Sequence, residues 1–206
     1  MHISELSTPA LTIDLEVLER NLGAMAELCA KQGVGLRPHT KTHKTPEVAR
    51  RQLERGAIGL TVAKVGEAEV MAGAGFDDIL VAYPIFGAEK LRRLADIALT
   101  RRVLLSLDSE ATAQELSRAA ASRGATVGVL VEFDVGVHRC GLEPGPACAE
   151  LGRKIEQLPG LRLQGLMTYF GNVWGTAEER RAQAAQVAPR VAKALAAFRE
   201  AHLPTE

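Results

Sequence analysis

Short apolar runs alternate along this chain with amphipathic stretches of helical period, recurring about every 20 to 30 residues. No other feature limits the fold as much. Strands are expected at Val34–Leu36, Ile58–Ala63, Asp78–Tyr83, Val103–Leu107, Val127–Phe133 and Leu161–Tyr169. Helical segments with their own start and stop signals lie between them. Thr45-Pro46 opens the helix that runs to Arg55, Gly75 stops the one from Val65 to Ala74, and another covers Ala88–Leu99. Asp108-Ser109 caps a helix that ends at Gly124, and Pro159-Gly160 breaks the one from Pro146 to Leu158. Thr176 and Glu179 form a capping box for the last run, which Pro189 is expected to bend or divide. Ahead of the series, Leu11, Ile13 and Leu15 alternate as a short half-buried strand. Leu15, Leu18, Leu22, Met25 and Cys29 then follow at helical spacing as far as Gly33.

Such alternation argues for right-handed βαβ units and a parallel sheet. Two architectures fit, a flavodoxin-like open sheet and a TIM-type (β/α)₈ barrel, and periodicity does not choose between them. No linker or low-complexity segment divides residues 1–206, which read as a single α/β domain. A complete barrel needs about 250 residues, whereas six barrel-type strands are counted here and residues 201–206 look like a loop leading towards another strand. Six strands of eight would leave two unpaired edges. The expectation is therefore an incomplete barrel, truncated before its last strands.

In either architecture ligands bind at the C-terminal ends of the strands. The first such end carries Arg37-Pro38-His39-Thr40-Lys41-Thr42-His43-Lys44. If the chain stays extended there, Arg37, His39, Lys41 and His43 share a face. A lysine set among cations finds its charged form disfavoured, and the neutral amine is a nucleophile that forms Schiff bases with aldehydes. Arg139, in the loop after the fifth strand, and Tyr169, at the end of the sixth, would stand on the same rim. Together they offer a nucleophile, a fixed cation and a phenol able to relay protons.

Plainer readings stand beside each of these. The basic run suits a solvated loop or a weak anion patch. His39 and His43 have the spacing of a helical metal pair, although Pro38 argues against a helix there. Arg139 could pair with Asp134, Tyr169 could close a barrel end with its hydroxyl in water, Lys64 could pair with Glu67, and Gly136 and Gly141 could serve turns. The 25 basic and 25 acidic residues cancel, so no surface for nucleic acid follows from charge. Three scattered cysteines suit a reducing compartment. The first nine residues lack a signal-peptide pattern, and no apolar run reaches the roughly 18 residues of a membrane helix. The reading is a cytoplasmic chain without a membrane partner.

Four segments carry a resemblance: "LRPHTKTHK", "VAKVGEAEVMAGAG", "VEFDVGVHRCGL" and "GLMTYFG", with "TPALTIDLEVLERNL" at the start. They are similar to the N-terminal barrel of the D-threonine aldolase and D-serine dehydratase family, fold-type III pyridoxal-phosphate enzymes related to alanine racemase. The likeness runs from Thr8 to Phe198. It implies that Lys41 holds pyridoxal 5'-phosphate as a Schiff base, with Arg139 beside the ring near its phenolic oxygen. Tyr169 would line the site as a catalytic residue along with Lys41, and His39 would be a near neighbour of the lysine. The implied activity is a lyase reaction on small D-3-hydroxy amino acids, either aldol cleavage or dehydration. A non-catalytic pyridoxal-phosphate carrier and an inactive fragment of the lyase are the alternatives.

The resemblance also implies parts that lie outside these residues. The family's phosphate-binding loop follows the seventh strand. Its divalent metal, zinc or manganese, is held by a C-terminal β-domain, and no metal ligand is expected within residues 1–206. The strand at Leu11–Leu15 normally pairs with that domain. A homodimer is implied for the full-length protein. Phe170 departs from the family, where a polar residue commonly follows the tyrosine.

Overall fold

The computed structural model describes residues 2–205, with Met1 and Glu206 outside it. Five parallel strands, β1 (Leu60–Val62), β2 (Asp78–Val81), β3 (Arg102–Leu107), β4 (Val127–Glu132) and β5 (Leu161–Met167), pair in chain order. Leu60 faces Ile79, Val81 faces Leu105 and Leu105 faces Val129 across the ladders. A doubly wound sheet would reverse direction part-way and place helices on both sides. Consecutive right-handed crossovers place them all on one side, as along a barrel wall. The barrel expectation therefore stands and the flavodoxin-like alternative does not.

The helices are α1 (Leu15–Lys31), α2 (Pro46–Glu54), α3 (Val65–Gly73), α4 (Ala88–Ala98), α5 (Glu110–Arg123), α6 (Pro146–Glu156) and α7 (Ala177–Glu200). Side chains on one face of the strands, among them Val62, Val81, Leu105, Val129 and Val131, pack under Leu91 and Leu94 of α4, Leu116 of α5 and Ile155 of α6. This is the core. Thr61, Ser106 and Glu132 project from the opposite face yet are also buried. Phe198 of α7 is fully buried and lies beside Gly152 of α6. Phe198→Ala is expected to cost about 3–5 kcal/mol of unfolding free energy in a denaturant titration, since a ring-sized cavity would remain.

Three expectations need correction. The strand over Leu11–Leu15 does not form: residues 11–14 are irregular, Leu11 is 97% exposed, and among the described residues no strand lies alongside to accept it. Alternation alone gives a segment a possible buried face, but it does not supply a partner. Of the six barrel strands, the first survives only as a bridge between His39 and Thr61. Ile58 N–H donates to Leu36 O (2.9 Å) and Thr61 N–H to Pro38 O (2.8 Å), while Pro38 brings no N–H of its own to that ladder. Pro189 does not divide α7, which runs through it over 24 residues. The capping box does form, with Thr176 N–H donating to Glu179 Oε2 (2.6 Å) and Glu179 N–H donating to Thr176 Oγ1 (3.3 Å).

No residue of α1 is buried; the helix is tied down by Glu19, which accepts from Arg55 Nε at 3.0 Å and also pairs with Arg51. The loop expected at the end of the chain is irregular as far as Thr205, and Glu206 lies outside the described residues.

The β4–β5 ladder contains a register shift. Val129 faces Leu163, but Leu130 faces Gly165, so Gln164 is an extra residue on β5. Gly165 takes a φ of 148°, a conformation open to glycine and rarely to other residues. Beyond the shift, Glu132 faces Met167.

Candidate functional site

Lys41 sits in a short 3-10 turn, Thr40–Thr42, directly after the His39–Thr61 bridge. The extended run expected there ends at His39, whose Nδ1 accepts the Lys41 N–H at 3.2 Å. The four-residue cation face is therefore not assembled. Arg37 turns to Asp78 instead, donating to Oδ1 at 2.6 Å and to Oδ2 at 3.2 Å. His43 Nδ1 accepts the Thr45 N–H at 3.0 Å. Lys41 Nζ lies over the ring of Tyr169, 5.6 Å from its centre.

Both imidazoles are held below the usual histidine range. Burial is the main cause for each, and the Lys41 ammonium adds to it for His39. As pH falls below about 6.5, the unfolded chain takes up protons that the folded one refuses. The stability from this source is thus present above that pH and lost as pH falls through the depressed folded value. Urea melts at about pH 7.5 and about pH 5.5 are expected to show this decline, and His43→Gln to reduce it.

Arg139 is placed by a rigid loop. Asp134 N–H donates to Leu142 O (2.9 Å) and Leu142 N–H to Glu132 O (2.9 Å), closing the loop at its base. Asp134 Oδ1 accepts the N–H groups of Gly136, Val137 and His138 at 3.1, 2.9 and 3.0 Å. Burial would raise this carboxyl, but those three donors and the His138 ring outweigh it and hold it below its ordinary value. Gly141 N–H donates to Asp108 Oδ2 at 2.8 Å. Asp134 is fully engaged within the loop and does not pair with Arg139.

Glu132, 1% exposed, anchors the loop from below. Ser106 Oγ donates to its Oε2 (2.6 Å) and Cys140 Sγ to its Oε1 (2.9 Å). Burial first and the Glu132 carboxylate second push the Cys140 thiol up to about 11, so it stays a donor at neutral pH. The guanidinium of Arg139 then lies between two rings, 4.7 Å from the centre of Tyr169 and 5.5 Å from that of Tyr83.

Lys41, Arg139 and Tyr169 therefore form one cluster, and His39 adjoins it. Lys64 and Glu67 do not pair: Glu67 accepts the Ala63 N–H at 2.8 Å and lies 3.4 Å from Lys44 Nζ. Tyr83 belongs to the cluster but was not expected there. Its signal in the sequence was an aromatic residue at a strand end, just before Pro84.

Residues 13–206 match the family model described as alanine racemase, N-terminal domain. D-threonine aldolase of Arthrobacter sp. is 37% identical over 196 residues, 94% of this chain and 52% of that protein. D-threo-3-hydroxyaspartate dehydratase of Delftia sp. (strain HT23) is 35% identical over 207 residues, 97% of this chain and 53% of that protein. The crystal structure of D-threonine aldolase from Filomicrobium marinum superposes with a TM-score of 0.96 at 41% identity, covering 99% of this chain and 56% of the other. The chain spans about half the length of the curated relatives it matches. With its strand order, its rim cluster and this match over residues 13–206, the chain belongs to the alanine racemase N-terminal domain family.

Proposed function

We propose that the chain is the cofactor-binding part of a pyridoxal 5'-phosphate-dependent lyase acting on D-3-hydroxy amino acids, by aldol cleavage or dehydration. One observation carries this reading: the Lys41 amine and the Arg139 guanidinium share the ring of Tyr169, at 5.6 and 4.7 Å from its centre. The donor set suits the group. It offers a primary amine for an aldehyde, a permanent cation for an ionised phenol and an aromatic face beside both. When bound, the cofactor supplies an electron sink for the substrate.

The chain's own residues do the rest. Lys41 Nζ would hold the cofactor and, as a free amine, would be the base that takes and holds a substrate proton. Arg139 does not lose its proton in a protein, so it acts as a fixed charge rather than a proton donor. Tyr169 Oη can hold a proton at the cluster, and the neutral His39 imidazole adds no second charge beside Lys41. Among the described residues no group of three or more His, Cys, Asp or Glu side chains could hold a metal ion.

The test is borohydride reduction of the full chain after pyridoxal phosphate is added, followed by peptide mapping. An adduct on Lys41 is expected, and a stable adduct on a different lysine removes the reading. Turnover of D-threonine, D-serine or 3-hydroxy-D-aspartate, with a divalent metal supplied, tests the reaction class.

A further inference from the structure

Arg139 has two aromatic neighbours, and only Tyr169 has a place in the proposed chemistry. Tyr83 sits where β2 ends. Ala82 N–H still donates to Val62 O at 3.0 Å, so the backbone is in the ladder up to that residue. Pro84 then confines Tyr83 to extended conformations. The Tyr83 ring is thus carried on a rigid support, although the side chain itself is 43% exposed.

A guanidinium is planar and weakly hydrated on its faces, and it stacks well on aromatic rings. With its centre 5.5 Å from Tyr83 and 4.7 Å from Tyr169, Arg139 is bracketed by rings from two different strand ends. Cys140, its neighbour in the chain, is meanwhile pinned to the buried Glu132. The backbone beside Arg139 is therefore fixed, and what remains free is rotation of a long side chain. The two rings restrict that rotation and leave the N–H edges available to an acceptor.

We infer that Tyr83 is a positioning residue for Arg139: its π face holds the guanidinium against Tyr169 in the orientation that receives the cofactor. The inference rests on the pyridoxal-phosphate reading of the site. It predicts that the ring matters and the hydroxyl does not.

The experiment uses the full chain in five forms: parent, Tyr83→Phe, Tyr83→Leu, Arg139→Ala and the Tyr83→Leu/Arg139→Ala double variant. Pyridoxal phosphate is titrated into each and the dissociation constant measured. Tyr83→Leu keeps apolar bulk without a π face and is expected to weaken binding by about 5- to 10-fold, while Tyr83→Phe stays within about twofold. In the Arg139→Ala background the effect of Tyr83→Leu is expected to vanish, because the interaction it removes is already absent. A loss of equal size in both backgrounds would assign Tyr83 a general structural role and overturn the inference. So would a Tyr83→Phe variant as weak as Tyr83→Leu.

A second readout needs no cofactor. The Arg139 Nε–H resonance, in protein labelled with ¹⁵N-arginine, should shift in Tyr83→Leu and hold in Tyr83→Phe, and an unmoved resonance in Tyr83→Leu refutes the contact. If the parent binds no pyridoxal phosphate, the functional reading falls. The resonance still decides whether Tyr83 positions Arg139.

Discussion

Replacing Lys41 by alanine should leave the unfolding free energy of the full chain within about 1 kcal/mol of the parent and, on the proposed function, lower turnover of D-3-hydroxy amino acids by roughly a thousandfold or more. The two halves of this result come from different parts of the structure. The Lys41 side chain is exposed and lies over the Tyr169 ring at 5.6 Å, a contact that contributes little to stability at a solvated position. The turn around it is held by backbone and His39 contacts that alanine keeps, including the 3.2 Å bond from the residue-41 N–H to His39 Nδ1. On the proposed function turnover would depend on the amine itself, because no other primary amine stands over Tyr169 among the described residues. A denaturant titration beside an activity assay separates the two. A variant that keeps a tenth of parent turnover would show that the amine is dispensable.

Gly141→Ala is the second large effect, and it acts on fold and site together. Gly141 has a φ of 100°, where L side chains are strained. A Cβ built there would meet the carbonyl carbon of Phe133 at 2.6 Å and the nitrogen of Asp134 at 2.7 Å. Those are backbone atoms at the base of the Arg139 loop, where Leu142 N–H donates to Glu132 O, so no flexible side chain can yield. Strain and overpacking together should cost about 3–5 kcal/mol. The loop can relieve the clash only by lifting away from β4, which carries Arg139 off the Tyr169 ring. Cofactor affinity is therefore expected to fall even in the fraction that stays folded. Thermal melts and a pyridoxal-phosphate titration on the same sample check both parts. Parent-like affinity in a destabilised variant would uncouple the loop base from the guanidinium.

Much of this was legible in the residues because it is local. Apolar runs bounded by turn signals located β1 to β5 and the helices between them. Placing ligands at strand ends brought Lys41, Arg139 and Tyr169 to one rim without coordinates. What escaped depends on partners distant in the chain. Leu11, Ile13 and Leu15 have a strand's alternation, but a strand exists only where another lies beside it. Arg37 was grouped with Lys41 by spacing, whereas its fate was decided by Asp78, 41 positions away. Tyr83, at the end of β2, could be recognised only once the loop after β4 had carried Arg139 to it across the intervening β3. The 3-10 turn at Thr40–Thr42 was missed because a threonine-lysine-threonine run carries no distinctive break signal.

The irregularity at Gln164 also has a bearing on the aromatic residue under Lys41. Up to Leu163, odd-numbered side chains of β5 belong to the helix-covered core. One supernumerary residue inverts that parity, so Met167 stands level with Glu132 and receives a contact from Ser106 Oγ at 3.4 Å, on the inner side. Tyr169, two residues further along, inherits the same side. A ladder that paired Gln164 with Leu130 instead of passing over it would put Met167 level with Phe133 and swing the phenol behind the wall, out of reach of Lys41 and Arg139, without changing either of those residues. The side of the wall on which the phenol stands is thus set by a single unpaired glutamine, five residues upstream of the tyrosine it aims.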